Sequence, residues 1–161
     1  MKIGLISDTH DHLPHIRKAM SLFRLQGVST LLHAGDFCSP FAVPELEGFE
    51  LHAVFGNNDG DAYRILMKME GIAAEHHAEF ADLTFGGRRI ALYHGTQEGI
   101  TEALVKCRLY DLVVSGHTHS PHIKTEGKTM WVNPGSAHGF GERATVAVYD
   151  TDAHEAVIAE L

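Results

Sequence analysis

Apolar residues along the chain come in short runs, each ending on a polar turn. Lys2 to Ile6 reads as a buried strand that stops at Ser7-Asp8-Thr9-His10-Asp11-His12. Leu13, Ile16, Met20 and Phe23 then recur at spacings of 3, 4 and 3, with Pro14 near the start and Gly27 past the end, which predicts an amphipathic helix. The unit repeats. Val28 to Ala34 predicts a strand entering Gly35-Asp36, and Glu50 to Phe55 another entering Gly56-Asn57-Asn58-Asp59; a helix with Ala62, Ile65, Leu66 and Met69 inward follows. Such alternation predicts stacked βαβ units around a largely parallel sheet.

Beyond Gly71 the pattern changes. Ala78 to Phe85 and Arg88 to Tyr93 flank Gly86-Gly87, a two-residue hairpin signal. A helix over Glu98 to Cys107 leads to a strand over Leu112 to Ser115 and then to Gly116-His117-Thr118-His119. Short β runs follow at Ile123 to Thr125, Thr129 to Val132, Ala144 to Tyr149 and Ala156 to Ile158. Antiparallel strands late in the chain, after parallel ones early, predict an α/β fold of two packed mixed sheets with helices outside.

Composition narrows the picture. At 161 residues, 44% hydrophobic and 21% charged, the chain reads as one globular domain over residues 1–161, which excludes a low-complexity or disordered polymer. No run approaches the ~20 apolar residues of a membrane helix. The first apolar run ends at Asp8, too soon for a signal-peptide core, so a cytoplasmic location is expected. Cys38 and Cys107 form no CxxC and read as reduced, packed thiols. The net charge of −8 disfavours tight binding to bulk nucleic acid or an anionic membrane. Thirteen histidines, as many as lysines and arginines together, direct attention to metal chemistry.

The placement of polar residues matters more than their number. Asp8 and His10, Asp36, Asn57, His94, and His117 with His119 each follow an apolar strand at its carboxyl end, where strands of an α/β sheet converge on one cleft. Carboxylate, amide oxygen and imidazole together suit Mn, Fe, Co, Ni or Zn better than Ca or Mg. Each motif alone is weak, since Asp and Asn cap helices and His beside Gly is common in loops. The ordered set carries the reading.

The motifs Asp-Thr-His at 8–10, Gly-Asp at 35–36, Gly-Asn-Asn-Asp at 56–59, His-Gly at 94–95 and Gly-His-Thr-His at 116–119, with Asn133-Pro134-Gly135-Ser136, resemble those of the calcineurin-like metallophosphoesterases. The resemblance runs from residue 2 to about 150, and the short chain looks like the family's small single-domain phosphodiesterases of bacteria and archaea. It implies a four-layer α-β-β-α sandwich, two packed sheets flanked by helices, with two divalent transition-metal ions at one edge: manganese first, with nickel, cobalt, iron or zinc as alternatives. Asp8, His10, Asp36 and His119 would hold one ion; Asp36, Asn57, His94 and His117 would hold the other, with Asp36 as the bridge. A hydroxide shared by the ions would attack a small phosphodiester. Many members carry a His where this chain has Asn58, so a leaving-group or phosphate contact by Asn58 would come without a proton to give; His12, His122 or His138 could substitute.

Other readings of the same residues are blander. A scaffold of the same fold that binds metal or partners without catalysis is the alternative, and the complete ligand set weighs against it. His15, His33, His52, His76, His77 and His154 read as surface or packed histidines, and Arg88 and Arg89 as a solvated hairpin end. Self-association into an oligomer is left open.

Overall fold

A computed structural model describes residues 1–140 and 142–161. One sheet has the order β11 (Glu155–Glu160), β10 (Thr145–Asp150), β1 (Lys2–Ile6), β2 (Thr30–His33), β3 (Glu50–Ala53), β4 (Glu75–His76). Its β1 to β4 run parallel, while β10 lies antiparallel to both β1 and β11. The second sheet has the order β5 (Phe80–Phe85), β6 (Arg88–Tyr93), β7 (Leu112–Val114), β9 (Thr129–Asn133), β8 (His122–Glu126). There β7 runs parallel to both neighbours, and hairpins form the two outer pairs.

Alternation along each strand sorts side chains into layers. Ile3, Leu5, Leu32, Ile90, Leu92, Leu112, Val114, Val132 and Tyr149 fill the space between the sheets. Ile6, Leu31, Leu51 and Ala53 face outward and pack against Ile16, Met20 and Phe23 of α1 (Leu13–Leu25) and Ile65 and Met69 of α2 (Ala62–Gly71). On the far side Ala91 and Val113 meet Val105 of α3 (Glu98–Lys106). The central strands are therefore buried on both faces, which is why they read as mainly apolar runs. These are the four layers that the resemblance implied. Among the described residues no helix is long and apolar enough to cross a membrane.

Three local readings change. Leu66 is 40% exposed, because α2 buries only the narrow stripe of Ile65 and Met69. Two elements were not predicted: the 3-10 turn Val43–Leu46 and the two-residue strand β4, both too short to show a period. Cys107 is exposed, not packed.

Candidate metal centre

The carboxyl ends of β1, β2, β3, β6 and β7 deliver the polar turns to one edge of the sandwich. Five of the seven residues singled out by sequence leave their strands in left-handed backbone: Asp8 (φ 53°), His10 (φ 40°), Asp36 (φ 60°), His117 (φ 66°) and His119 (φ 57°). Non-glycine residues hold such conformations only where the surroundings over-determine them. Two glycines show how tightly. A Cβ on Gly56 would lie inside the Asp36 carboxylate, and one on Gly116 would collide with Ser7 and Asp8.

The contacts among the seven are close. His119 Nε2 lies 3.2 Å and His10 Nε2 3.8 Å from Asp8 Oδ1. His10 Nε2 and His94 Nε2 lie 3.4 and 3.5 Å from Asp36 Oδ2. His94 Nε2 is 3.0 Å from Asn57 Oδ1, and the His117 ring stands edge-on to that of His94 at 5.2 Å. Two triplets, Asp8-His10-His119 and Asp8-Asp36-His94, bring one ligand atom per residue within 4.8 Å of one another.

The hydrogen bonds show what the cluster lacks. His94 Nδ1 donates to the Ala34 carbonyl at 2.6 Å, which turns the lone pair of Nε2, in the neutral ring, toward Asn57 Oδ1 and Asp36 Oδ2. Acceptors then face acceptors. Asp8 Oδ1 and His10 Nε2 are buried with no hydrogen-bond partner. A group of this kind demands a proton or a cation at its centre. The titration shifts agree. Burial works against the charge of Asp36, yet His94 and two donations from Asn58 hold its carboxyl down at about 2. Asp8 is likewise buried and is held below the ordinary carboxylate range by His10, His119 and Ser7. The pKa of His119 is raised, chiefly by Asp8; that of His94 is raised by Asp36 and Asp8 against the opposing effect of burial.

Supporting residues lock the loops. Asp59 accepts from the backbone N–H of Gly56 (2.7 Å), Cys38 (2.9 Å) and Asp36 (3.1 Å), tying the β2 loop to the β3 loop. Asn58 donates from its backbone to Asp36 Oδ1 and from its amide to Asp36 Oδ2, both at 2.8 Å, so that side chain is committed to the carboxylate. Asn133 Nδ2 donates to the Gly116 carbonyl, and Ser136 Oγ to that of Asp8. The Asn-Pro-Gly-Ser turn thus buttresses the loops that carry Asp8 and His117.

Sequence reasoning passed over several of these positions. Asp59 falls inside the Gly-Asn-Asn-Asp motif, and two of its three donors, Asp36 and Cys38, lie on another loop that the local sequence does not show. Cys38, two residues after Asp36, reads from the sequence as a packed side chain sooner than as a thiol near the site; it sits with Sγ 3.0 Å from His10 Nδ1, and burial and nearby carboxylates push its pKa up to about 12. Phe140, half exposed, stacks on His119 at 4.7 Å and on His138 at 4.1 Å. Nothing local in the sequence marks it. Of the three substitute acids, His138 and His12 stand on the His10 side, their rings 5.0 Å apart. His122 instead packs edge-on to Trp131, in a cavity of about 570 Å³ that also takes in His117 and Lys124.

Two stacked sheets between helices, with carboxylates, imidazoles and an amide gathered at one strand-end edge, define the metallophosphoesterase class. The chain belongs to the calcineurin-like phosphoesterase superfamily, whose domain model matches residues 1–154, and it is a hydrolase of phosphoric esters. It is 35% identical to a protein of Methanocaldococcus jannaschii named a phosphodiesterase, over 96% of each chain. It is 28% identical to the phosphodiesterase YfcE of Escherichia coli, over 94% of this chain and 89% of that one. A solved structure described as an archaeal phosphodiesterase superposes with a TM-score of 0.94 at 35% identity, covering both chains fully.

Proposed function

We propose that this chain is a phosphodiesterase of one domain, residues 1–161, that uses two divalent transition-metal ions, manganese foremost. Asp8, His10, Asp36 and His119 would hold one, and Asp36, Asn57, His94 and His117 the other. The observation that carries the reading is the knot of mutually facing acceptors at the strand ends, with the buried atoms Asp8 Oδ1 and His10 Nε2 left unpartnered. When bound, the ions supply an activated water nucleophile and neutralise charge on the phosphate. The chain's own residues do the positioning. Ala34 fixes the His94 tautomer, Cys38 holds the His10 ring, and Asp59 keeps the Asp36 and Asn57 loops in register. Asn58 steadies the Asp36 carboxylate and brings no proton for a leaving group.

The test is hydrolysis of bis-p-nitrophenyl phosphate and of a dialkyl diester before and after chelation. EDTA should abolish turnover, and Mn, Co or Ni should restore it far better than Ca. Aryl esters should outpace alkyl ones by ~10²–10⁴-fold, the usual contribution of a general acid. Full activity after exhaustive chelation would overturn the metal assignment. Two tightly bound ions with no diester turnover would leave the metals standing and overturn the enzyme.

A further inference from the structure

A second group of ligand atoms lies at the open edge of the first sheet. β4 is its last strand, paired in parallel with β3 so that Glu75 stands opposite His52. His77 follows β4 and still donates its N–H to the Ala53 carbonyl at 2.9 Å, so Glu75 and His77 stand two residues apart along one edge and His52 meets both from the neighbouring strand. His52 Nδ1 lies 3.0 Å from His77 Nε2 and 3.4 Å from Glu75 Oε2, and the three donor atoms are all within 4.8 Å of one another. Zinc holds nitrogen donors at ~2.0–2.1 Å, which separates two donors by ~2.9–3.4 Å for angles between square and tetrahedral. The two separations from His52 Nδ1, 3.0 and 3.4 Å, fall in that interval.

The surroundings match a ligand site too. Buried Thr30 donates to one oxygen of Glu50 at 2.7 Å, and the other oxygen lies 3.8 Å from His52 Nε2, the ring nitrogen turned away from the cluster. Glu50 thus places a carboxylate near the far side of the ring, beyond hydrogen-bond distance of it. Phe85 packs edge-on against the same ring at 5.1 Å and limits its rotation. Burial lowers the pKa of His77 from the ordinary histidine value. Glu75, with its side chain 66% exposed, leaves an approach from solvent.

We propose that His52, Glu75 and His77 form a separate binding site for one borderline divalent ion, Zn²⁺ or its neighbours Co²⁺ and Ni²⁺, which pins the edge strand β4 to β3. The proposal is independent of the strand-end centre. The alternative is a plain hydrogen bond between the two imidazoles. Full-length protein freed of metal is loaded with Zn²⁺, and bound zinc per chain is measured for wild type, His77→Ala and Glu75→Gln. Ring NMR of His52 and His77 is followed in Asp36→Ala, which lacks the bridging carboxylate of the other centre. His77→Ala should hold one zinc fewer than wild type and leave diester hydrolysis unchanged; Glu75→Gln should bind that zinc at least ~10-fold more weakly. The His52 and His77 rings should shift on zinc addition in Asp36→Ala. Equal zinc content in wild type and folded His77→Ala, or rings that do not move at saturating zinc, would overturn it.

Discussion

The two ends of the β1–β10 pair treat their polar groups in opposite ways. At the end where β1 begins, the chain satisfies itself: Arg88 donates to the Thr151 carbonyl at 3.0 Å, Thr151 N–H to that of Met1 at 2.9 Å, and the Tyr149 hydroxyl meets His154 Nδ1 at 2.8 Å. Where β1 ends, Asp8 and His10 bury polar atoms without a partner and sit in left-handed backbone. The same strand thus carries one closed end and one end that calls for a ligand from outside. Burial of polar groups with no internal partner costs stability, and it persists where function uses it.

The contrast can be broken most sharply at Asp36. Asp36→Ala removes a ligand from both proposed ions of the strand-end centre, so the metal of that centre should be lost and diester turnover should fall by ~10³-fold or more, the scale of several kcal/mol of charge stabilisation. The fold should persist in circular dichroism, because Asp36 lies at a strand end beside the core. Near-normal turnover with two ions retained would show that the open end does not need its central carboxylate.

Asp59 is the next lever, because it holds three backbone donors and touches no proposed ion site directly. Asp59→Asn should lower turnover or metal affinity ~10–100-fold, as is usual for outer-shell partners. Elemental analysis beside steady-state kinetics would separate the two.

His33 lies beneath the open end, fully buried. It donates from Nε2 to Thr9 Oγ1 and accepts from Gly35 N–H at Nδ1, and burial pushes its pKa down to about 3. The folded value is below the unfolded 6.5, so between the two the unfolded chain binds more protons. The stabilising contribution is complete above pH 6.5 and is lost as pH falls toward 3. Thermal melts of metal-free protein should show this decline, and His33→Gln should flatten it by up to about 1.4 kcal/mol per pH unit. An unchanged pH slope would place the sensitivity elsewhere.

At the closed end effects should be smallest. Tyr149→Phe removes one hydrogen bond to His154 and should cost about 1 kcal/mol in unfolding free energy. Metal content and hydrolysis should not change, which is the control for the other three.

The apolar runs by themselves determined the layers. A strand buried on both faces is apolar at most positions, and a packed helix face is apolar at spacings of 3 and 4, so β1, β2, β3, β6, β7 and α1 were legible. The seven strand-end residues were legible as well, since polar side chains directly after buried strands stand out against what precedes them. Only the tertiary structure decided the rest. That Asn58 spends its amide on Asp36, that Cys38 reaches His10, that Asp59 ties two loops and that Phe140 stacks on His119 depend on residues whose loops meet in space. The pairing of Glu75 with His52 depends on β4, a strand of two residues with no period to read. Sequence patterns record which face of an element is buried; which side chains meet across loops is set by how the chain returns to the same edge.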